Sequence, residues 1–197
     1  TYTMTDEDFT KLTNYVRNMY NATAAQIFIN RLQVARSDAW GGSCFGMSMS
    51  VILNKPGQID FVNNFDPVAA DMYGVSRPYQ NEAVQSAINY YQISQRVNAF
   101  RTTTYTVDKG NFSTGLEKLV DTVKEGNMTL IIYSWPEGCH AIVIVGYEEA
   151  EGGGHNLIAY DNRYGSNYIN VYIDEDIQAW RDYMPIYPEE WYNGFDP

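Results

Sequence analysis

Apolar residues recur at intervals of three and four through the first 126 or so positions of the chain, and at every second position over most of the remainder. That change of period predicts helices first and strands afterwards. Thr5 followed by Asp6, Glu7 and Asp8 supplies a cap and an acidic first turn ahead of Phe9, Leu12, Tyr15, Val16 and Met19, so a helix is predicted over residues 5–20. Ala25, Ile27, Phe28, Leu32 and Val34 form a second pattern ending near Ser37 that fits a helix and, less well separated, a strand. A third helix is predicted from Cys44 to about Asn54, where Asn54-Lys55-Pro56-Gly57 stops it. Residues 58–80 read as irregular, with a short helix after Asp66-Pro67.

Val84, Ala87, Ile88, Tyr91 and Val97 then mark a long helix over about 81–100, and the β-branched stretch 101–111 reads as an extended connector. Ser113 is placed to cap a helix through Leu116, Leu119, Val120 and Val123 that Gly126 ends. Strands are predicted at 129–133, 139–147, 156–160 and 168–173, with turn material that includes Gly152, Gly153 and Gly154. A last helix near 174–183 and an aromatic, proline-containing tail close the chain. The fold class expected is therefore α+β in a single domain, with a helical lobe over about 1–126 and an antiparallel sheet lobe over about 127–197.

Composition narrows the function classes. The chain has 197 residues, enough for a sizeable core, and 24 acidic against 13 basic side chains give a net charge of −11. That charge speaks against nucleic acid and against an anionic membrane surface as partners. No apolar run is as long as a membrane span, so no membrane insertion is expected. Two cysteines are too few for the disulfide framework of a small secreted domain. The lysine-poor, Tyr- and Asn-rich composition nevertheless suits an exported protein, and a first residue of threonine is expected of a processed or excised chain.

The chemistry centres on WGGSCFGMSMS, residues 40–50. Cys44 there opens a helix, where unsatisfied amides and the positive end of the dipole favour the thiolate. Gly41 and Gly42 permit a tight turn and close approach of a substrate, and the Cys44 amide is placed to donate to an oxyanion. The plainer reading makes Cys44 a small buried hydrophobe. A base and its orienting partner decide between them. His140 begins the most apolar strand, after the turn Trp135-Pro136-Glu137-Gly138, whereas His155 follows three glycines and reads as an exposed turn residue. Asp161 and Asn162 end the next strand, where either can accept from an imidazole and fix its tautomer. Because strand neighbours face opposite ways, only one of them can serve. The same alternation turns Cys139 away from His140, toward a buried structural position, with a regulatory disulfide to Cys44 as the alternative.

The order Cys, His, Asp or Asn, carried by GGSCFGMS, GCHAIVIVGY and IAYDNRYG over about residues 38–165, resembles the papain-like cysteine peptidases. It resembles most the bacterial branch that includes bacteriocin-leader-processing and surface-protein peptidase domains. The resemblance implies a papain-like fold with a cleft between its lobes, peptide or protein substrates, and a secreted or cell-surface location. It implies Cys44 as nucleophile, His140 as general base and then acid, and Asp161 as the orienting residue, with Asn162 as alternative. No metal and no cofactor are implied. Where the family carries an oxyanion-binding glutamine, six residues before the nucleophile, this chain has Asp38. An ionised carboxylate would repel an oxyanion, so that role falls to a protonated Asp38, to Gln33 or to backbone amides. An amidase or transglutaminase-type acyl transferase, or a catalytically inactive adhesion module, would resemble the same family.

Overall fold

The structure is a computed structural model that describes residues 3–38, 42–54, 58–72, 74–97, 104–107, 112–135, 138–149, 155–162, 168–171 and 179–183. These residues are mixed α+β and fall into two compact units, one up to residue 97 and one from residue 104.

The first unit is helical: α1 (Asp6–Met19), α2 (Ala22–Ser37), α3 (Cys44–Leu53), α4 (Phe61–Phe65) and α5 (Glu82–Ser94). Side-chain caps set the starts of four of them. Thr5, Asn21, Asp60 and Asn81 each accept from an amide in the first turn of α1, α2, α4 and α5. Ala25, Ile29, Leu32 and Ala35 are the buried face of α2, a spacing that only a helix presents to one side, which removes the helix-or-strand ambiguity. The short helix of the 58–80 region precedes Asp66 instead of following it. Asp60 caps α4, whereas Asp66 turns its carboxylate to the Ser76 amide at 2.7 Å and ties the loop together.

α3 packs on α5 with the two backbones in close approach at Gly46. A Cβ added to Gly46 would lie 2.1 Å from the Ile88 carbonyl oxygen, so only glycine lets these two backbones meet. The N-terminal segment also lies on α5. Thr5 N–H donates to Ser86 Oγ at 3.0 Å, Asn89 Nδ2 donates to the Thr3 carbonyl at 2.5 Å, and Ser86 Oγ donates to Asp8.

The second unit is a six-stranded sheet with one helix on it: β1 (Thr104–Val107), α6 (Phe112–Lys124), β2 (Thr129–Trp135), β3 (Gly138–Glu149), β4 (His155–Tyr160), β5 (Tyr168–Val171) and β6 (Ala179–Tyr183). Its order is β1-β6-β2-β3-β4-β5, and every neighbouring pair is antiparallel. Leu119, Val120 and Val123 of α6 pack on Ile131, Ile142, Ile144, Leu157 and Ala159. Burying such side chains is worth about 1.5–3 kcal/mol each, which commits α6 to the sheet.

Three sequence expectations change here. α6 belongs with the sheet and not with the helical lobe expected to run to about 126, because its apolar partners lie on the sheet. The connector over 101–111 contains a true strand, β1. The last helix, expected near 174–183, is instead strand β6 over Ala179–Tyr183, lying between β1 and β2. Pairing on both sides by strands remote in sequence outweighs the local helical pattern. The stop at Lys55-Pro56-Gly57, the glycines 152–154, residues 174–178 and the tail lie outside the described residues.

Candidate active site

The thiol sits where the sequence predicts it, at the first residue of α3. Ser43 is the N-cap, and its carbonyl accepts the Met47 amide at 2.9 Å, so the helix is hydrogen-bonded from its first turn. Phe45, Gly46, Ser48, Met49, Ser50, Ile52 and Leu53 are buried, whereas Cys44, Met47 and Val51 are half-buried. Those three are spaced as one stripe, so the thiol heads the accessible edge of an otherwise buried helix. No acidic residue occupies the first turn, and the helix dipole there acts on the sulfur unopposed from within α3.

The cap is unusual in its wiring. Ser43 makes no side-chain bond to its own helix; its hydroxyl donates to Asn89 Oδ1 of α5 at 3.1 Å. The amide that an N-cap serine ordinarily serves, Gly46 N–H, donates instead to Gln92 Oε1 at 2.9 Å. Sequence reasoning missed Asn89 and Gln92. Spaced four and three along α5, Gln85, Asn89 and Gln92 carry nothing in the sequence that sets them apart from solvated amides, yet Asn89 is fully buried.

In the second unit, His140 and Asp161 meet. The β3–β4 register pairs Val143 with Tyr160 and Ile144 with Ala159. Continued by one step it sets Asp161 across from Ile142, so His140 and Asp161 are diagonal neighbours on the face that α6 covers further along. His140 Nε2 lies 2.7 Å from Asp161 Oδ1, and both side chains are only 5% exposed. With Nε2 turned to the carboxylate, Nδ1 is the ring nitrogen through which His140 can exchange a proton with another group. Asp161, not Asn162, is thus the imidazole's partner. Asn162 Nδ2 donates to the Ala141 carbonyl at 3.2 Å, continuing the ladder past the end of β4 on the other side. Burial and then the charge of Asp161 push the pKa of the neighbouring Tyr160 phenol up, so that residue stays neutral.

The remaining candidates separate clearly. Cys139, expected to be buried, is exposed, because it lies in β3 ahead of the stretch where burial begins at His140. Both cysteines are thiols and not a disulfide. Asp38 is the exposed C-cap of α2, and Gln33 is exposed as well. His155 opens β4 opposite Glu149. Gly41 lies outside the described residues. Among the described residues no group of three or more His, Cys, Asp or Glu could hold a metal ion, and no helix is long and apolar enough to cross a membrane.

No protein family, no characterised protein and no solved structure gives a match to this chain.

Proposed function

We propose that this chain is a papain-like cysteine peptidase that hydrolyses peptide bonds through Cys44, His140 and Asp161. The observation that supports it most is the buried bond from His140 Nε2 to Asp161 Oδ1 at 2.7 Å. A carboxylate held there fixes the imidazole's orientation and tautomer and stabilises the imidazolium, which is what a thiol nucleophile needs of its base. The placement of Cys44 at a helix start adds to it.

In this reading the Cys44 thiol gives its proton to His140 Nδ1, and the thiolate attacks the scissile carbonyl. The Cys44 backbone N–H donates to the oxyanion. The C–N bond then breaks, and the departing amine takes the proton from Nδ1. Water, deprotonated by the same nitrogen, attacks the thioester, releasing the acid and restoring the thiol. Acid–base transfer of this kind contributes about 10²–10⁴ in rate. A secreted or surface-bound bacterial protein acting on other polypeptides goes with this reading.

Two measurements test it. A peptide library should be cleaved by the native chain and not by Cys44→Ala, and no cleavage of any peptide overturns the proposal. Proximity is read by oxidising His140→Cys in a Cys139→Ser background. A disulfide between the introduced thiol and Cys44 is expected, and its absence under conditions that oxidise a control pair removes the triad. Transfer of the acyl group to an added amine in preference to water would replace hydrolase by acyl transferase on the same residues.

A further inference from the structure

We propose that Asn89 and Gln92 of α5 are positioning residues that set the reactivity of Cys44 by holding the first turn of α3 from outside. This rests on the peptidase reading only in taking Cys44 as the reactive group. A serine before a helix normally caps it by accepting from the third amide. Here that division of labour is exchanged between two helices. Gln92 Oε1 takes the Gly46 amide at 2.9 Å, and Ser43, relieved of it, donates its hydroxyl to Asn89 Oδ1 at 3.1 Å.

Asn89 is anchored in turn. Its Nδ2 donates to the Thr3 carbonyl at 2.5 Å, so the amide is spent at both ends while it stands at 0% exposure. Burying an amide costs free energy unless both ends are met, and an apolar residue at 89 with a self-capping Ser43 would hold the two helices equally well. What the buried amide adds is a fixed place for the residue before the thiol. The Gly46 contact removes the last slack, since the helices cannot slide apart without losing the Gln92 bond. Cys44 therefore starts its helix at one orientation, with its amide and sulfur at a set position on the dipole axis.

The test is the pH profile of iodoacetamide alkylation of Cys44, with exposed Cys139 in the same molecule as internal standard and peptide hydrolysis measured alongside. Asn89→Ala and Gln92→Ala should move the Cys44 profile to higher pH and slow its labelling about tenfold at pH 6, the effect of a one-unit change in thiol acidity. Cys139 should not change. Gln92→Glu keeps the acceptor oxygen but adds a negative charge beside the first turn, so it should hold the melting temperature near the native value while the Cys44 profile still moves to higher pH. Ser43→Ala, which removes only the hydroxyl from the buried cluster, should give the same shift should Asn89→Ala fail to fold. A Cys44 profile unchanged in folded variants whose melting temperature has dropped assigns both residues to packing alone and overturns the proposal. Hydrolysis missing while the profile shifts would sink the peptidase reading and leave this one standing.

Discussion

His140 and Asp161 meet diagonally across β3 and β4, Nε2 to Oδ1 at 2.7 Å, at the end of the ladder where the two strands part. The sheet places them there without help from loops. Ile142, Ile144, Leu157 and Ala159 bury one face beneath α6, and the pleat carries that face on to residues 140 and 161. A slip of β4 by one residue against β3 would send Asp161 to the face opposite His140, so the core that fixes the register also fixes the pair.

Asp161→Ala leaves the buried imidazole without its acceptor. A loss of about 1–3 kcal/mol in stability is expected, read from the urea midpoint. On the proposed mechanism kcat/KM falls by up to about 10²–10⁴, the share that positioned acid–base catalysis contributes. Asp161→Asn keeps an acceptor oxygen and should lose less of both. Asn162→Ala removes the bond to the Ala141 carbonyl, for which about 0.5–1.5 kcal/mol is expected and a far smaller kinetic effect. Equal kinetic losses at 161 and 162 would contradict this division of roles.

Gly46→Ala sets two effects against each other. Alanine is worth about 1 kcal/mol over glycine inside a helix. Its Cβ, however, would stand 2.1 Å from the Ile88 carbonyl oxygen, a contact with backbone that no rotamer relieves. Forced separation of packed elements costs about 1–3 kcal/mol, and the Gln92 bond to the same residue's amide is weakened as well. Net destabilisation is expected, together with slower alkylation of Cys44. A variant more stable than the native chain would show that α3 and α5 can part freely.

Periodicity located α1, α2, α3 and α5 to within a few residues except at the C-terminal end of α5, and the strands β2 to β5 nearly as well. These elements announce themselves locally, through Thr5 and Asn81 at caps and through alternation such as Ile142, Ile144. The misses have a common cause. Ala179–Tyr183 is a strand because β1 and β2 flank it, and α6 belongs with the sheet because Leu119 and Val123 find Ile131 and Ile142 there. Nothing within either segment encodes a partner tens of residues away. Of the proposed triad, Cys44, His140 and Asp161 stood out by chemistry and order. Asn89 and Gln92 did not, since amides on a helix are ordinary surface residues until a neighbouring backbone closes over them.

Acid should loosen the loop after α4 in a defined window. The Ser76 backbone N–H, 2.7 Å from Asp66 Oδ2, is the main cause that holds this carboxyl below its ordinary 3.8, and the Ser76 and Asn81 side chains add to it. A lowered folded-state pKa means that the native state binds fewer protons than the unfolded one. The stabilisation is therefore complete above pH 3.8 and is lost as pH falls through the folded value. Native chain and Asp66→Asn should differ in urea midpoint at pH 6 and converge below pH 3.8. A gap that persists unchanged at pH 2.5 would show that the charge is not what holds the loop.

Asp38 sits at the C-cap of α2, where a carboxylate faces the negative end of the helix dipole. It is exposed, so replacing it disturbs no packing. On the helix alone, Asp38→Gln should stabilise the chain by about 0.3–1 kcal/mol, an increment that shrinks with added salt. The resemblance to papain-like peptidases adds a kinetic expectation, because this position would carry the glutamine that donates to the oxyanion. Exchanging a repelling charge for a donor should raise kcat, with up to about 10²–10³ available from one oxyanion donor, and leave the alkylation rate of Cys44 nearly unchanged. Alkylation forms no oxyanion, so the two assays separate charge at the carbonyl from charge at the sulfur. A higher kcat with unaltered alkylation places Asp38 at the oxyanion; a gain in stability with no kinetic change leaves it a poor helix cap and hands the oxyanion to backbone amides.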